Sequence, residues 1–330
     1  MIEINLNNLE KNVRELTKDG RKLIGVVKNN AYGCGAIKIS EHLEKCQVDY
    51  LLVNDISETK KLLDSGIKTN IIIFNGICDT CYPIISEYPN LVVSLNSLDD
   101  CLSLNKYCPT PVRVHIQIDT GLNRLGSKDM NEYKSLLNVI KNNDKFIVEG
   151  IYTHFASQEL APLQLEKFIS YVGMHDYKMV HCASSGTYST ISYGNYVRCG
   201  LSLYDLNPVM SVKVKPIAIR KLSKGETLGY GFEYIASDDI IIAVLPVGYG
   251  NGYRLGFSGF NVYANGNYYQ VIGRICMNHF FVKVDESINM DTEFALMNEY
   301  IPASKLASYL GTSVYDIYTN WKIDKVKYIE

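Results

Sequence analysis

The sequence of 330 residues predicts an α/β fold, a (β/α)8 barrel of the TIM type followed by a mostly antiparallel β C-terminal domain. Short apolar runs alternate with amphipathic, helix-like segments over the first two thirds of the chain. Eight such runs can be counted, which is the strand number of a closed parallel barrel. After Pro208 the helical periodicity gives way to short runs rich in Gly, Tyr and Val. We therefore assign residues 1–207 to the barrel and residues 208–330 to the β domain.

The predicted barrel strands are apolar on both faces, as expected of a parallel sheet that is covered by helices. They are Leu23–Val27, Tyr50–Val53, Asn70–Phe74, Leu91–Leu95, Val112–Ile118, Ile147–Thr153, Met179–His181 and Tyr196–Leu201. Helices are predicted between them, for example over Ile37–Cys46 and Ser57–Ser65. The second of these is expected to be capped by Ser57 and to end before Gly66.

The second domain is predicted from short β-branched and aromatic runs that are separated by turn residues. These runs are Lys213–Arg220, Ile240–Pro246, Phe260–Asn265, Val271–Gly273 and Phe280–Val284. One helix is expected near the end of the chain, over Ala303–Leu310. The region therefore reads as a β domain with little helix.

Composition excludes several classes of protein. Hydrophobic residues make up 47% of the chain and charged residues 21%, which is ordinary for a globular protein. The formal net charge of −2 gives no electrostatic reason to expect nucleic acid or a membrane as a partner. The N-terminus lacks a basic segment followed by an apolar run, and no apolar stretch is long enough to span a bilayer. We expect a cytoplasmic protein.

The cysteines do not indicate a metal site. There are nine of them, scattered along the chain. Cys78 and Cys81 form an isolated CxxC pair without a second pair or a histidine cluster, so reduced thiols are favoured over a zinc or redox site. No metal is predicted.

Polar residues collect just after the predicted strands, where a (β/α)8 barrel carries its active site. Lys28 follows the first strand in an apolar context, so desolvation would lower its pKa and favour Schiff-base chemistry, although a simple rim charge is the alternative. Arg198 lies within the eighth strand, where an inward guanidinium needs a partner. Ser185 and Gly200 offer donors for a phosphate group, and His154 taken alone reads as a satisfied core histidine.

Six sequence blocks together resemble the alanine racemase family, the fold type III pyridoxal-phosphate enzymes. The first block, residues 26–35, is similar to the family's cofactor-lysine signature, with Asn29 and Cys34 where Ala and His are usual. The other blocks are residues 119–126, 152–156, 229–231, 246–253 and 273–278. The resemblance covers nearly the whole chain and implies an isomerase that uses pyridoxal 5'-phosphate and takes part in D-alanine biosynthesis.

The resemblance implies a two-base mechanism. Lys28 would form the internal aldimine and act as one base, and Tyr230 would act as the other across a head-to-tail homodimer interface with shared active sites. Racemisation needs acid–base groups on opposite faces of the substrate α-carbon, and a lysine and a phenol meet that need. The small substrate would be L- or D-alanine.

The same resemblance assigns further residues to the cofactor and the substrate. Arg198 would contact the pyridine nitrogen, with His154 beside it. The phosphate would be held by Tyr32, Ser185, Tyr315 and the backbone of Gly200 and Leu201. The substrate carboxylate would be bound by Arg124 and by the backbone of Met277 of the partner subunit, and Tyr249 would narrow the entrance.

Besides Asn29 and Cys34, three residues depart from the family pattern. Gln117 stands where several members have a carbamylated lysine, so we expect a neutral hydrogen-bond partner for Arg124 and no carbamate. Asn278 replaces an acid, and Ser184 replaces a common asparagine. Tyr315 would leave room for a methyl side chain and favour alanine, with serine as a side substrate because a hydrophobic pocket rejects a hydroxyl only modestly.

Alternative functions stay open on this evidence. A serine racemase or a broad-specificity amino-acid racemase of the same family is the first. An amino-acid decarboxylase on the same fold is less favoured, because its C-terminal acid and cysteine blocks are not seen. A non-catalytic pyridoxal-phosphate carrier built on the barrel alone would lack the second domain and any counterpart of Tyr230.

Overall fold

A computed structural model describes residues 1–75 and 81–330. The chain divides into two compact units, Leu9–Leu206 and Asn207–Glu330, the latter together with Met1–Asn8. This division differs from the predicted one, residues 1–207 and 208–330, at the N-terminus. Cys78 of the isolated CxxC pair lies outside the described residues.

The first strand of the chain, β1 (Ile2–Asn5), belongs to the second unit, and eight parallel strands then build the first unit. These are β2 (Lys22–Val26), β3 (Tyr50–Val53), β4 (Asn70–Ile73), β5 (Leu91–Leu95), β6 (Val112–Gln117), β7 (Phe146–Tyr152), β8 (Met179–His181) and β9 (Tyr196–Cys199). Their order in the sheet is β8-β7-β6-β5-β4-β3-β2-β9. Each predicted strand is present, within two residues of its expected bounds.

The two outermost strands of this order close the barrel nearly completely. Ser184, just after β8, forms a parallel bridge with Arg198 of β9. The Arg198 amide donates to the carbonyl of Ala183 at 3.0 Å across the same gap. The carboxyl ends of all eight strands therefore meet at one rim, as in other barrels of this type.

Helices follow most of the strands, in the alternation that parallel strands require. They are α1 (Leu6–Leu16), α2 (Lys28–Tyr32), α3 (Ala36–Lys45), α4 (Ile56–Asp64), α5 (Cys81–Glu87), α6 (Leu98–Tyr107), α7 (Met130–Lys141), α8 (Ala161–Val172) and α9 (Leu201–Asp205). The Ser57 cap was wrong, since Asp55 caps α4 by accepting from the amides of Ser57 and Glu58. Leu201 begins α9 instead of ending a strand.

The second unit contains a nine-stranded, mostly antiparallel sheet. Its members beyond β1 are β10 (Met210–Val214), β11 (Ala218–Leu222), β14 (Ile240–Leu245), β15 (Asn261–Ala264), β16 (Asn267–Ile272), β17 (Phe280–Val284), β18 (Phe294–Met297) and β19 (Val326–Ile329), while β12 (Thr227–Leu228) and β13 (Tyr234–Ile235) form a separate hairpin. Two helices, α10 (Ala303–Leu310) and α11 (Val314–Thr319), follow β18. The single strand predicted over Lys213–Arg220 is two strands, because Pro216 lies between them and lacks a ladder donor.

The N-terminal strand β1 joins the second unit because its alternating residues fit that sheet. Ile2 and Ile4 are buried, whereas Glu3 and Asn5 are only partly so. The strand pairs with β10 in the antiparallel direction and with β19 in the parallel direction. Both ends of the chain are therefore tied into one sheet.

Within residues 1–75 and 81–330, no helix is both long and apolar enough to cross a membrane. Over the same ranges, no group of three His, Cys, Asp or Glu side chains is arranged to hold a metal ion.

Replacing Ile4 by alanine is expected to destabilise the second unit by about 2–5 kcal/mol, because the side chain is fully buried and its loss leaves a cavity. The measurement is urea unfolding followed by the fluorescence of Trp321, the one tryptophan, which is buried in this unit. Val326→Ala on the partly exposed neighbouring strand is the control, with an expected cost under about 1 kcal/mol. Equal costs for the two variants would contradict the buried role of β1.

Candidate active site

Lys28 lies at the carboxyl end of β2, inside the rim where the barrel strands converge. Burial lowers the pKa of its ammonium group, and the positive charge of Arg124 lowers it further. Glu58 opposes this change, and Arg198 adds to it. The Phe74 ring lies 5.9 Å from the Lys28 Nζ and 5.4 Å from the Arg124 guanidinium carbon, within cation–π range of both.

The residues after Lys28 wind in a left-handed turn. Asn29, Asn30, Ala31 and Tyr32 all have φ between 52° and 56°, and Gly33 follows at 86°. This region costs roughly 1–2 kcal/mol for an ordinary L-residue and less for asparagine and glycine. The turn is held by Ala31 N–H donating to Val27 O at 2.8 Å and by Gly35 N–H donating to Asn30 O at 2.9 Å. The sequence Asn29-Asn30 therefore suits the strained backbone beside Lys28.

Arg198 points its guanidinium into the barrel, where it is fully enclosed. Its Nη1 donates to His181 Nδ1 at 2.8 Å, and its Nη2 donates to His154 Nδ1 at 2.9 Å and to Thr153 O at 3.0 Å. A further contact joins Nη1 to His181 O at 3.4 Å. Within the described residues, the Nε–H donor has no protein acceptor. Arg198 is thus fixed by four contacts and keeps one donor for a bound group.

These contacts determine where the imidazole protons lie. Arginine is always a donor, so His181 Nδ1 and His154 Nδ1 must accept, and both rings carry their proton on Nε2. His181 Nε2 then donates to His115 Nδ1 at 2.9 Å, which places the His115 proton on its own Nε2. In the part of the chain that the structure describes, this last nitrogen is buried without a hydrogen-bond partner.

All three histidines are held in the neutral form. Burial lowers the pKa of His115 to about 3, with Arg113 and Arg198 adding to the effect. Burial likewise lowers the pKa of His154 to about 3, helped by Arg198, Arg124 and Lys28. Burial lowers the pKa of His181 well below its usual value. The three imidazoles behind the rim cations therefore carry no charge.

Tyr152, the last residue of β7, connects this histidine–arginine network to Gln117 at the end of β6. Its ring stacks on His181 with centroids 4.8 Å apart and lies 5.1 Å from the Arg198 guanidinium carbon. Its hydroxyl donates to Gln117 Oε1 at 2.7 Å and is also hydrogen-bonded to Ser94. Burial raises the pKa of Tyr152 to about 12. Tyr152 therefore stays neutral and orients the His181 ring.

Gln117 does not contact the Arg124 side chain as the sequence had suggested. Its Nε2 donates to the carbonyl of Leu125 at 3.0 Å, while its Oε1 accepts from Tyr152. The amide therefore fixes the backbone next to Arg124 and leaves the Arg124 guanidinium exposed, near Phe74.

Tyr32, Ser185 and Gly200 come together at the other side of the rim. The Ser185 hydroxyl accepts from the amides of Gly200 and Ser202, each at 3.1 Å. A Cβ at Gly200 would lie 2.1 Å from the Tyr32 hydroxyl, so only glycine fits there. Leu201 starts α9 immediately after this contact. The residues that the sequence predicted for a phosphate in this unit are thus neighbours.

The second unit carries Tyr230, Tyr249 and Met277 around a cavity of ≈440 Å³, which Arg274 and Cys276 also line. The Tyr230 side chain is 71% exposed. Tyr249 N–H donates to Cys276 O at 3.1 Å, and a Cβ at Gly248 would lie 2.1 Å from the same oxygen. The glycines around Tyr249 therefore allow its loop to lie directly on the backbone of Cys276 and Met277.

Tyr315 is in the second unit as well, on α11, and is about half exposed. Ser313 caps the start of the helix, because its hydroxyl accepts from the Asp316 amide, and Asp316 pairs with Arg254 at 2.5 Å. The barrel unit carries the other predicted residues, namely Lys28, Tyr32, Arg124, His154, Ser185, Arg198, Gly200 and Leu201.

Two family models together match almost the entire chain. The model of the alanine racemase N-terminal domain matches residues 4–208, and that of the C-terminal domain matches residues 209–328. The chain belongs to the alanine racemase family. The family and the fold class that the sequence predicted are thereby confirmed.

Several alanine racemases are similar to this chain in sequence or in fold over nearly its whole length. The alanine racemase of Ligilactobacillus salivarius is 29% identical over 333 residues, covering 92% of this chain and 90% of its own. The alanine racemase structure of Clostridium difficile 630 has a TM-score of 0.91 at 28% identity, covering 100% of this chain and 95% of that chain. The alanine racemase of Bartonella henselae, solved with covalently bound pyridoxal phosphate, shares the fold with a TM-score of 0.91 at 24% identity, covering 100% and 99%.

Three residues of the site were not predicted, whereas His181 was expected at the rim as the end of its strand. Phe74 lies between Lys28 and Arg124, Glu58 contacts the turn after Lys28, and His115 joins His181 in the network behind Arg198. Phe74 could have been found because it ends a predicted barrel strand. Glu58 and His115 carry no such signal, since one is a helix residue and the other lies within a strand.

Acid is expected to destabilise the barrel unit through its buried histidines. The pKa of an unfolded histidine is near 6.5, whereas that of buried His115 is about 3, so stability is complete above pH 6.5 and falls as the pH decreases toward 3. Each such histidine contributes about 1.4 kcal/mol per pH unit in this window. Replacing His115 by asparagine should remove one of these contributions.

The measurement is urea unfolding at pH 7, 6 and 5, followed by the circular dichroism of the helices. The stability difference between the unmodified protein and His115→Asn should change by about 1.4 kcal/mol per pH unit below pH 6. A difference that stays constant over this range would show that His115 takes up a proton in the folded state.

Proposed function

We propose that this chain interconverts L- and D-alanine by two-base transfer of the α-proton, with pyridoxal 5'-phosphate as its cofactor. The observation that carries the proposal is Lys28 at the barrel rim, where burial and two arginines lower its pKa. A lysine in that state supplies the neutral amine that attacks an aldehyde. Membership of the alanine racemase family over residues 4–328 supports the reaction type.

The donors at the rim suit an anionic cofactor. Lys28, Arg124 and Arg198 act on one another as like charges, and each contact of the Arg198 guanidinium described above is made to an imidazole or a carbonyl. Like charges held close together are relieved by an anion such as a phosphate or a carboxylate. The Arg198 Nε–H donor is available for an acceptor on the cofactor ring. The residues present therefore fit pyridoxal phosphate.

The proposed holders of the cofactor follow from these contacts and from the sequence. Lys28 would hold it covalently, and Arg198, oriented by His154, would bind its ring nitrogen. The phosphate is assigned to Tyr32, Ser185, Tyr315 and the backbone of Gly200 and Leu201. When bound, the cofactor supplies an aldehyde and an electron sink that stabilises negative charge at the substrate α-carbon.

The proton transfers are assigned to Lys28 Nζ on one face of the substrate and the Tyr230 hydroxyl on the other. A base that removes a proton from one face and an acid that returns one on the opposite face invert the carbon. Tyr230 is strongly exposed in its own chain, which suits a residue that acts in a second copy. A homodimer with shared sites and a cytoplasmic location are part of this proposal.

Substrate binding is assigned to Arg124, Met277 and Tyr249. The Arg124 guanidinium is exposed at the rim and can pair with a carboxylate, and the Met277 backbone would come from the partner subunit in such a dimer. Tyr315, by its bulk, favours the methyl side chain of alanine over longer ones. Serine differs by one hydroxyl, which a pocket of this kind excludes by only a modest factor.

Lys28→Ala and Tyr230→Phe should each lower racemisation of alanine by about 10²–10⁴-fold, because each removes one of the two bases. Purified protein with pyridoxal phosphate is incubated separately with L-alanine and with D-alanine in D2O, and the opposite enantiomer and α-deuterium are measured by chiral chromatography and mass spectrometry. Tyr230→Phe should still exchange the α-hydrogen of the one enantiomer that faces Lys28, without inverting it. Lys28→Ala should lose both exchange and the absorption band of the lysine-bound cofactor.

Matched controls are Lys38→Ala and Tyr300→Phe, which alter an exposed lysine and an exposed tyrosine in the same two units. Both should retain normal activity. Faster formation of D-serine from L-serine would move the assignment to a serine racemase. If the cofactor binds to Lys28 but neither enantiomer forms and no deuterium is incorporated, the racemase proposal is wrong.

A further inference from the structure

We propose that Glu58 is a positioning residue for Lys28, because its carboxylate holds the left-handed turn that follows the lysine and brings a negative charge to that turn. The resemblance of the sequence to the family assigned no role to this turn. The inference rests on the proposed function only in taking Lys28 as the reactive amine.

Glu58 bridges two neighbouring loops of the barrel rim. It lies in the first turn of α4, and its Oε1 accepts from the Asn29 amide at 2.6 Å. Its other oxygen, Oε2, accepts from the Asn54 amide at 2.8 Å. Asn29 follows β2 and Asn54 follows β3, which are paired parallel strands. One carboxylate thus ties the loop that carries Lys28 to the next loop of the rim.

The bridge is placed where the turn needs support. Asn29 is the first of five consecutive residues with positive φ, and it directly follows Lys28. The far end of the turn is held separately, by Asn30 Oδ1 accepting from the Ala36 amide at 2.9 Å. Hydrogen bonds to a charged carboxylate are stronger than neutral ones. Glu58 therefore anchors the end of the turn that fixes the direction of the lysine.

Glu58 also sets the charge balance around the lysine. The groups that face Lys28 from the packed elements are Arg124, Arg198, neutral His154 and Glu58. Arg124 and Arg198 lower the pKa of Lys28, whereas Glu58 raises it. The carboxylate thereby keeps the lysine able to hold a proton as well as to lose one. A residue that must both remove and return a proton needs that balance.

The two effects can be separated with two substitutions. Glu58→Gln keeps the length and one acceptor but removes the charge, whereas Glu58→Ala removes the bridge as well. Glu41→Gln is the matched control, because Glu41 is paired with Lys38 on α3 and contacts neither Lys28 nor the turn.

The first readout is the reactivity of Lys28 in the full chain without added cofactor. Lysines are methylated with formaldehyde and cyanoborohydride between pH 7 and 10, and Lys28 is quantified by mass spectrometry against exposed Lys134 in the same sample. Below the pKa of Lys28, Glu58→Gln should label Lys28 about threefold faster, because loss of the negative charge favours the neutral amine. Glu41→Gln should label it at the unmodified rate.

The second readout is amide hydrogen exchange over residues 28–35. Glu58→Ala should exchange this segment about tenfold faster, with α7 unchanged, because a charge-assisted anchor of a strained turn is lost. The exchange rate of this segment in Glu58→Gln should lie between the rates in the unmodified protein and in Glu58→Ala. With cofactor and alanine, the same variants should lower kcat more than they raise KM, since the lysine is misplaced and the carboxylate site is not.

Unchanged Lys28 labelling in Glu58→Gln together with unchanged exchange in Glu58→Ala would overturn the proposal. If Glu58→Ala fails to fold, the proposal is tested by Lys28 labelling and by amide exchange over residues 28–35 in Glu58→Gln. Neither readout depends on racemisation, so a protein that shows these changes but forms no D-alanine would contradict the proposed function and leave the role of Glu58 intact.

Discussion

The buried guanidinium of Arg198 is the constraint on which the barrel interior depends. It is a charge that cannot be left without partners, and its partners are imidazoles and carbonyls. Because arginine can only donate, it fixes the proton positions of His154 and His181, and through His181 that of His115. The same residue lies on the strand that closes the barrel against Ala183. Arg198 thus takes part both in closing the barrel and in fixing the groups behind its rim.

Local pattern was enough to predict the barrel and much of its rim. Most of the eight strands are largely buried and contain β-branched residues. Lys28 follows such a run and Arg198 lies within one, so both could be placed without a structure. Pairing across long distances could not be predicted in this way. The strands β1 and β19 lie at opposite ends of the chain, and each is too short and too polar on one side to be distinguished from a loop.

The site residues that were not predicted have roles that depend on contacts with residues distant in the sequence. Glu58 reads as an ordinary helix residue, and His115 as an odd polar residue inside a strand. The first contacts an amide of a strained turn 29 residues away, and the second meets an imidazole 66 residues away. The roles assigned to Tyr230 and Met277 depend on sequence resemblance, because the cavity that both residues line in their own unit does not by itself assign them a role.

The chain of hydrogen bonds from His154 through Arg198 and His181 to His115 has a consequence for how this protein can evolve. Each nitrogen in this chain of hydrogen bonds acts either as a donor or as an acceptor. A substitution at one position therefore leaves a buried nitrogen of the neighbouring residue without its partner. Such positions are free to change only together, through pairs of replacements that restore complementarity. The interior of the barrel should therefore drift in correlated steps, while the exposed faces of its helices vary one residue at a time.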